Sequence, residues 1–432
     1  MGARSVNRRR LLTATSAYGL SVAISGIVSI GVIPTVIIAA GEEAWTTIAV
    51  SQAVAGFSFV IAVFGWGVTG PTDVASREPA LRGQYFFDSV LSRSWLSLAM
   101  LIVSIPLAIL FSRGDPWLAT FTVSSGILVA LGAGWFYVGE KSPLRFLLID
   151  TMPRIIGTVV GAGVLIATGN ATWFAGLQLV GVLLAAALGS GDILRRNRGW
   201  RFTLSPVRAA RNLRGQAAPV TMAATTSLYV NVPIVIVQIF IPSATAVYAL
   251  AERIVRLALY STRPVVQIAQ GYVPSPDPAQ LVRRAKRVTL IGLGLGFVGG
   301  LVYALLGPWI GDVLSGGALT ISYALAAAMA VNLAALLASQ LTGFACLTAL
   351  DLARVLARST IVGAVIGTVL MIPLTFAFGV VGLAWGLALS EVAVLLVQLV
   401  ALRKAFKRPL ADGADPLDEP TIFPPGEFST PD

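Results

Sequence analysis

Five residues able to do chemistry share one apolar run. Glu252, Arg253, Arg256, Tyr260 and Arg263 lie between Thr245 and Pro264. At about 100° per residue, Arg253, Arg256, Tyr260 and Arg263 fall within roughly 80° of one another on a helix, forming a single polar stripe. A guanidinium stays protonated and presents a planar fork that suits phosphate oxygens, so the stripe points to an anionic ligand. A structural network is the second reading, in which Arg253 or Arg256 pairs with Glu252 or with Glu391. Arg263 sits near the inner end, where a long side chain can also snorkel toward water. Glu252 and Glu391 are candidates either for proton or sodium coupling or for structural pairing. Uncharged polar residues in other apolar runs, among them Gln52, Asn231 and Asn332, could line a hydrophilic cavity or bond between helices.

Much other chemistry is absent. The chain has no histidine and one cysteine, Cys346. Histidine acid–base catalysis, zinc centres and disulfides are therefore not expected, and neither is a bound cofactor. Glycines spaced four apart, as in Gly292, Gly296 and Gly300, or Gly382 and Gly386, suit close helix packing. None sits at a strand-to-helix turn, so nucleotide binding has no support.

The surroundings of the stripe define what must position it. Of 432 residues, 56% are hydrophobic and 12% charged, and the mean hydropathy is +0.82. A soluble domain averages about 25% charged residues. Twelve runs are long enough to cross a bilayer. They cover 13–38, 46–67, 93–112, 117–138, 148–168, 172–193, 217–240, 245–267, 288–308, 319–345, 357–377 and 381–402. The stripe occupies the eighth. Glu252, Arg253 and Arg256 fall near its midplane, where each charge costs at least about 2.5–3.5 kcal/mol unless it faces protein or water.

The basic residues support this count. With a cytoplasmic N-terminus, 27 of the 31 Lys and Arg fall in inner segments, and only Arg113 falls in an outer one. That asymmetry places both termini on the cytoplasmic side. The net charge of +11 and the apolar bulk together exclude a soluble nucleic-acid binder. The expected class is an all-α integral membrane protein of about twelve helices. Residues 1–196 form one six-helix lobe, 197–216 a basic cytoplasmic linker, and 217–408 a second lobe. The acidic, proline-containing segment 409–432 is expected to be disordered. Even numbers of spans per half imply a parallel pseudo-twofold repeat. Pro34, Pro233 and Pro264 are hinge candidates. Trp200 and Phe202 among arginines suggest contact with anionic lipids of the inner leaflet.

The segment Ala246-Val247-Tyr248-Ala249-Leu250-Ala251-Glu252-Arg253-Ile254-Val255-Arg256, with Pro264 and Pro274 downstream, resembles the eighth span of polysaccharide (O-antigen type) flippases. Trp135-Phe136-Tyr137-Val138-Gly139-Glu140-Lys141 and Gly41-Glu42-Glu43-Ala44-Trp45 are similar to that family too, although it often carries glutamine where Val138 stands. The resemblance covers about residues 1–408. It implies a transporter of the multidrug/oligosaccharidyl-lipid/polysaccharide exporter superfamily, with two lobes around a cationic cavity and no enzymatic activity. Its implied action is to flip a lipid-diphosphate-linked oligosaccharide from the inner to the outer leaflet by alternating access. Arg253 and Arg256 would then hold the diphosphate. Implied partners are the anionic lipid-linked glycan, a polysaccharide polymerase and glycosyltransferases, and the location is a bacterial cell membrane. A multidrug exporter, a lipid-linked peptidoglycan precursor flippase and a membrane enzyme of glycan assembly are the alternatives. Cationic drugs favour an acidic cavity, the peptidoglycan flippases usually have additional spans, and an enzyme would want larger outer loops.

The topology has a direct test. In a Cys346→Ala background, Arg113→Cys is expected to react with an impermeant maleimide on intact cells. Arg201→Cys should react only after permeabilisation, and the opposite pattern would overturn the orientation.

Overall fold

The computed structural model describes residues 2–197, 199–213 and 217–407, which are helical with no strand. Segment 409–432 lies outside the described residues.

The long helices are α1 (Gly2–Val63), α3 (Pro79–Ser112), α8 (Ala171–Arg196), α10 (Ala217–Phe240), α11 (Thr245–Tyr272), α12 (Pro278–Ser315), α13 (Tyr323–Gln340) and α14 (Ala353–Lys407). Between them lie α2 (Trp66–Ser76), α4 (Pro116–Leu128), α5 (Gly134–Gly139), α6 (Pro143–Arg145), α7 (Met152–Thr168) and α9 (Pro206–Leu213).

Among the described residues, eight helical segments are long and apolar enough to cross a membrane. Two of these are hairpins. The 55 residues of α14 would extend about 80 Å if straight, against a hydrocarbon core of about 30 Å. The backbone breaks instead at Gly379, with φ +62°. Contacts then pair the two arms in antiparallel order: Gly382 lies on the Leu374 carbonyl and Gly386 on Met371. Deeper in, Ser390 Oγ donates to the Gly363 carbonyl at 2.7 Å, and Gln398 Nε2 donates to Ser359 Oγ at 3.4 Å.

Helix α1 breaks in the same way at Gly41, with φ +84°. Its two ends return to one place. Tyr18 Oη donates to the Tyr137 carbonyl at 3.2 Å, and Gly70, just beyond the second arm, abuts Trp135. Helices α10 and α11 complete the set; α11 fails a purely apolar criterion because it carries the charged stripe. Residues 2–196 and 217–407 thus supply six traverses each, twelve in all among the described residues.

Some expectations need correction. Residues 68–92, between the second and third apolar runs, contain helix: α2 and the first turns of α3 lie there. Arg93, grouped with the topological cations, is 0% exposed. It lies against a break in the fourth traverse between α4 and α5, and Nη1 donates to the carbonyls of Ala130 at 2.5 Å and Gly132 at 3.0 Å. On the far side of the break Asp150 Oδ1 accepts from the Gly134 amide at 3.1 Å, while Arg154 pairs with Asp150 at 2.5 Å. Backbone groups freed by a broken helix must find partners inside a membrane protein, and these side chains supply them. The hinge candidates Pro34, Pro233 and Pro264 lie within continuous helical segments, and the two hairpins turn at Gly41 and Gly379.

Small residues let helices touch, as their spacing suggests. Gly296 and Gly300 of α12 lie against the carbonyls of Ala334 and Ala330 on α13. The largest apolar core joins the two halves: Ile37, Trp45 and Phe174 share it with Tyr248, Tyr303 and Leu383. The basic linker rides on the first half, where Ser92 Oγ donates to the Ala209 carbonyl of α9 at 3.2 Å.

A Cβ on Gly382 would stand 1.9 Å from the Leu374 oxygen, whereas one on Gly163 meets nothing within 4 Å. Gly382→Leu is therefore expected to cost about 1–3 kcal/mol or to prevent closure of the hairpin. Gly163→Leu should be neutral. Thermal unfolding and monodispersity in detergent measure both.

Candidate functional site

Helix α11 enters from the outer side and carries the stripe inward. It is anchored through two of its carbonyls. The Trp45 indole donates to Ala246 at 3.1 Å, and the Tyr303 hydroxyl donates to Ala251 at 2.8 Å. Its outer part, including Thr245, Ala246, Tyr248 and Leu250, is buried, while Tyr260 and Arg263 toward the inner end are exposed. The space beside α11 is therefore closed around residues 245–250 and more open toward Tyr260 and Arg263. Outward closure also uses Gln238 of α10, whose Nε2 donates to the Ser112 carbonyl at 3.3 Å.

Two adjoining cavities flank this helix. The outer one, about 310 Å³, lies between the halves: Trp45, Gln52 and Gly56 come from α1, Asn231 from α10, and Glu252, Arg253 and Arg256 from α11. The inner one, about 230 Å³, is walled within the second half by Glu252, Arg256, Tyr260 and Arg263, by Asn332 and Gln340 of α13, and by Glu391 of α14. The structure thus brings Gln52, Asn231, Glu252, Arg253, Arg256, Tyr260, Arg263, Asn332 and Glu391 to the walls of one two-chambered space. The prolines do not line it.

The charges are not equivalent. Arg256 Nε donates to Glu252 Oε1, an ion pair one helical turn apart. Arg253 has neither a hydrogen bond nor an ion pair among the described residues, and its guanidinium is left for the outer cavity. The Arg263 guanidinium lies over the Tyr260 ring, 4.4 Å from its centroid. Asn231 is tied down: Nδ2 donates to the Ser227 carbonyl at 2.8 Å, and Ser227 Oγ in turn donates to the Gly56 carbonyl at 3.1 Å, which bridges the halves. Asn332 Oδ1 and Tyr248 Oη are buried without partners in the described structure. Both residues belong to cavity walls, although neither of these atoms is itself exposed.

Two features escaped the sequence reading. Asp150 is a third deep carboxylate, 3% exposed, engaged with Arg154. Tyr248 gave no charge signal, yet it stands one turn from Glu252 on a wall common to both cavities.

The described residues form a multi-pass, all-helical membrane protein with a cationic cavity between two six-helix halves. No protein-family model matches the chain, and no curated protein sequence does. Solved structures do match. The lipid II flippase MurJ in an inward closed conformation aligns with a TM-score of 0.69 at 14% identity, over 90% of this chain and 88% of that one. An inward-facing multidrug resistance MATE family transporter of the MOP superfamily aligns at 0.54 and 13% identity, over 90% and 94%. The Vibrio cholerae MATE transporter VcmN aligns at 0.50 and 13% identity, over 94% and 98%. The chain has the fold of these MOP-superfamily transporters.

The unequal pairing of the arginines predicts unequal effects on stability. Arg256→Met strands Glu252 and is expected to cost about 1–3 kcal/mol. Arg253→Met, which breaks no ion pair, should cost less than about 1 kcal/mol. Thermal unfolding in detergent separates the two.

Proposed function

We propose that the protein is a flippase that moves a lipid-diphosphate-linked oligosaccharide from the inner to the outer leaflet by alternating access, in the service of cell-surface polysaccharide assembly. One observation carries this reading: arginines midway along a membrane-length helix line a cavity built between two six-helix halves. A charge there is costly unless it has a use or a partner, and Arg253 has no ion-pair partner among the described residues. Arg253 and Arg256 would hold the diphosphate, and Gln52, Asn231 and Asn332 would meet polar groups of the glycan. Glu252 and Glu391 are the carboxylates through which a proton or sodium gradient would act. The location would be a bacterial cytoplasmic membrane, with glycosyltransferases supplying the substrate and a polymerase consuming it.

A lipid II-type substrate is the second reading, favoured by the backbone likeness to MurJ. A multidrug exporter fits less well, because drug cations are repelled by a cavity that presents Arg253, Arg256 and Arg263 against Glu252 and Glu391.

The test is transport of the glycan in a defined host, with membrane levels of the protein held equal. Losing a charge-assisted hydrogen bond costs about 1.5–3 kcal/mol, so Arg253→Ala with Arg256→Ala should lower export by at least about tenfold. Unchanged export would remove the substrate-site assignment. Swapping lipid II for the oligosaccharide lipid in reconstituted vesicles decides between the two substrates.

A further inference from the structure

We propose that Glu252 is a built-in competitor for the transported anion, and that its pair with Arg256 separates two successive anion subsites, an inner one at Arg263 and an outer one at Arg253. This inference rests on the reading that the cavity takes a phosphate-type anion.

The placement of the pair carries the argument. The inner and outer cavities have four wall residues in common: Val230, Tyr248, Glu252 and Arg256. The ion pair therefore stands in the partition. Each chamber holds a further guanidinium on its own side. Arg253 faces the outer chamber, and Arg263, stacked on Tyr260, faces the inner one. These two positions are ten residues apart, about 15 Å along the axis, so an anion meets them in succession and passes Arg256 between them. Unpartnered polar atoms mark both the partition and the inner chamber: Tyr248 Oη in the shared wall and Asn332 Oδ1 within.

The chemistry of the exchange follows. The Glu252 carboxylate holds the Nε donor of Arg256, one edge of the fork that a phosphate would use. A phosphate that grips this edge must displace the carboxylate, and one that binds the Nη edge still bears its repulsion. Because the partners are one turn apart on the same helix, the pair re-forms by side-chain rotation alone, without a movement of helices. Glu252 then retakes Arg256 behind the departing anion. Such a competitor weakens binding and speeds release, and its removal should trap the anion.

The experiment uses the purified full chain in detergent, with inorganic pyrophosphate titrated calorimetrically. Glu252→Gln is expected to bind pyrophosphate about tenfold tighter than the wild type (about 1.4 kcal/mol), with slower glycan export in the defined host. The shorter carboxylate of Glu252→Asp should fall between them, which guards against a folding defect in the glutamine variant. Glu252→Gln combined with Arg256→Gln should lose the gain. If Glu252→Gln and Glu252→Asp bind no tighter than the wild type, the competitor role is overturned. Loss of wild-type binding in Arg253→Ala would then still support the cationic cavity. If neither the wild type nor Glu252→Gln binds pyrophosphate, the competitor role and the anion site both fall.

Discussion

Three charges near the middle of a bilayer constrain the whole second half of this molecule. Glu252, Arg253 and Arg256 cannot face lipid without a penalty of several kcal/mol together. Helix α11 must therefore turn its stripe inward and be surrounded. The surrounding helices are α1, α10, α13 and α14, and the space they leave is the cavity. The anchoring of α11 by Trp45 and Tyr303 follows from the same need. A helix that cannot pack on an apolar face alone is held instead through carbonyls on its buried side.

The molecule treats its buried arginines in two ways, and the contrast separates structure from function. Arg93 is sealed. Its donors reach the carbonyls of Ala130, Gly132 and Ser89 and the Ser89 hydroxyl, and Trp135 lies beside the guanidinium. The bonds to Ala130 and Gly132 repair a helix break, and the side chain is fully buried. Arg253 is the reverse case: it borders a cavity of about 310 Å³ and makes no hydrogen bond among the described residues. A satisfied buried cation has a structural role, whereas one left open beside a cavity retains its capacity to bind an anion. Arg256 stands between these cases, paired with a carboxylate that can be exchanged.

The remaining positive charge has a different origin. Most of it lies at the inner ends of the traverses and sets orientation. The linker between the halves belongs mechanically to the first. Trp200 stacks on Phe87 with ring centroids 5.0 Å apart, and α9 is bonded to α3. Phe202, Leu204 and Val207 remain exposed there, in keeping with a segment lying at the membrane surface.

Much of this was legible in the primary structure, for a simple reason. Apolar runs of about 20 residues, separated by basic clusters, are a one-dimensional signal imposed by the thickness of a bilayer. They determined the helical class, the twelve traverses and the helix that carries Glu252, Arg253 and Arg256. Helical geometry placed Tyr260 and Arg263 on the same face as the two midplane arginines. Nothing local distinguished Arg93, which reads as one more inner cation until the break between α4 and α5 is seen beside it. Spacing favours Arg256, four residues from Glu252, over the adjacent Arg253, but it could not show that neither arginine turns to Glu391 instead. Only the tertiary structure decided that Gln52, Asn231, Asn332 and Glu391, from four different helices, share walls with the stripe. The physical reason is that polar residues at depth are equally stable bonded between helices or facing a cavity, and helix packing alone settles which.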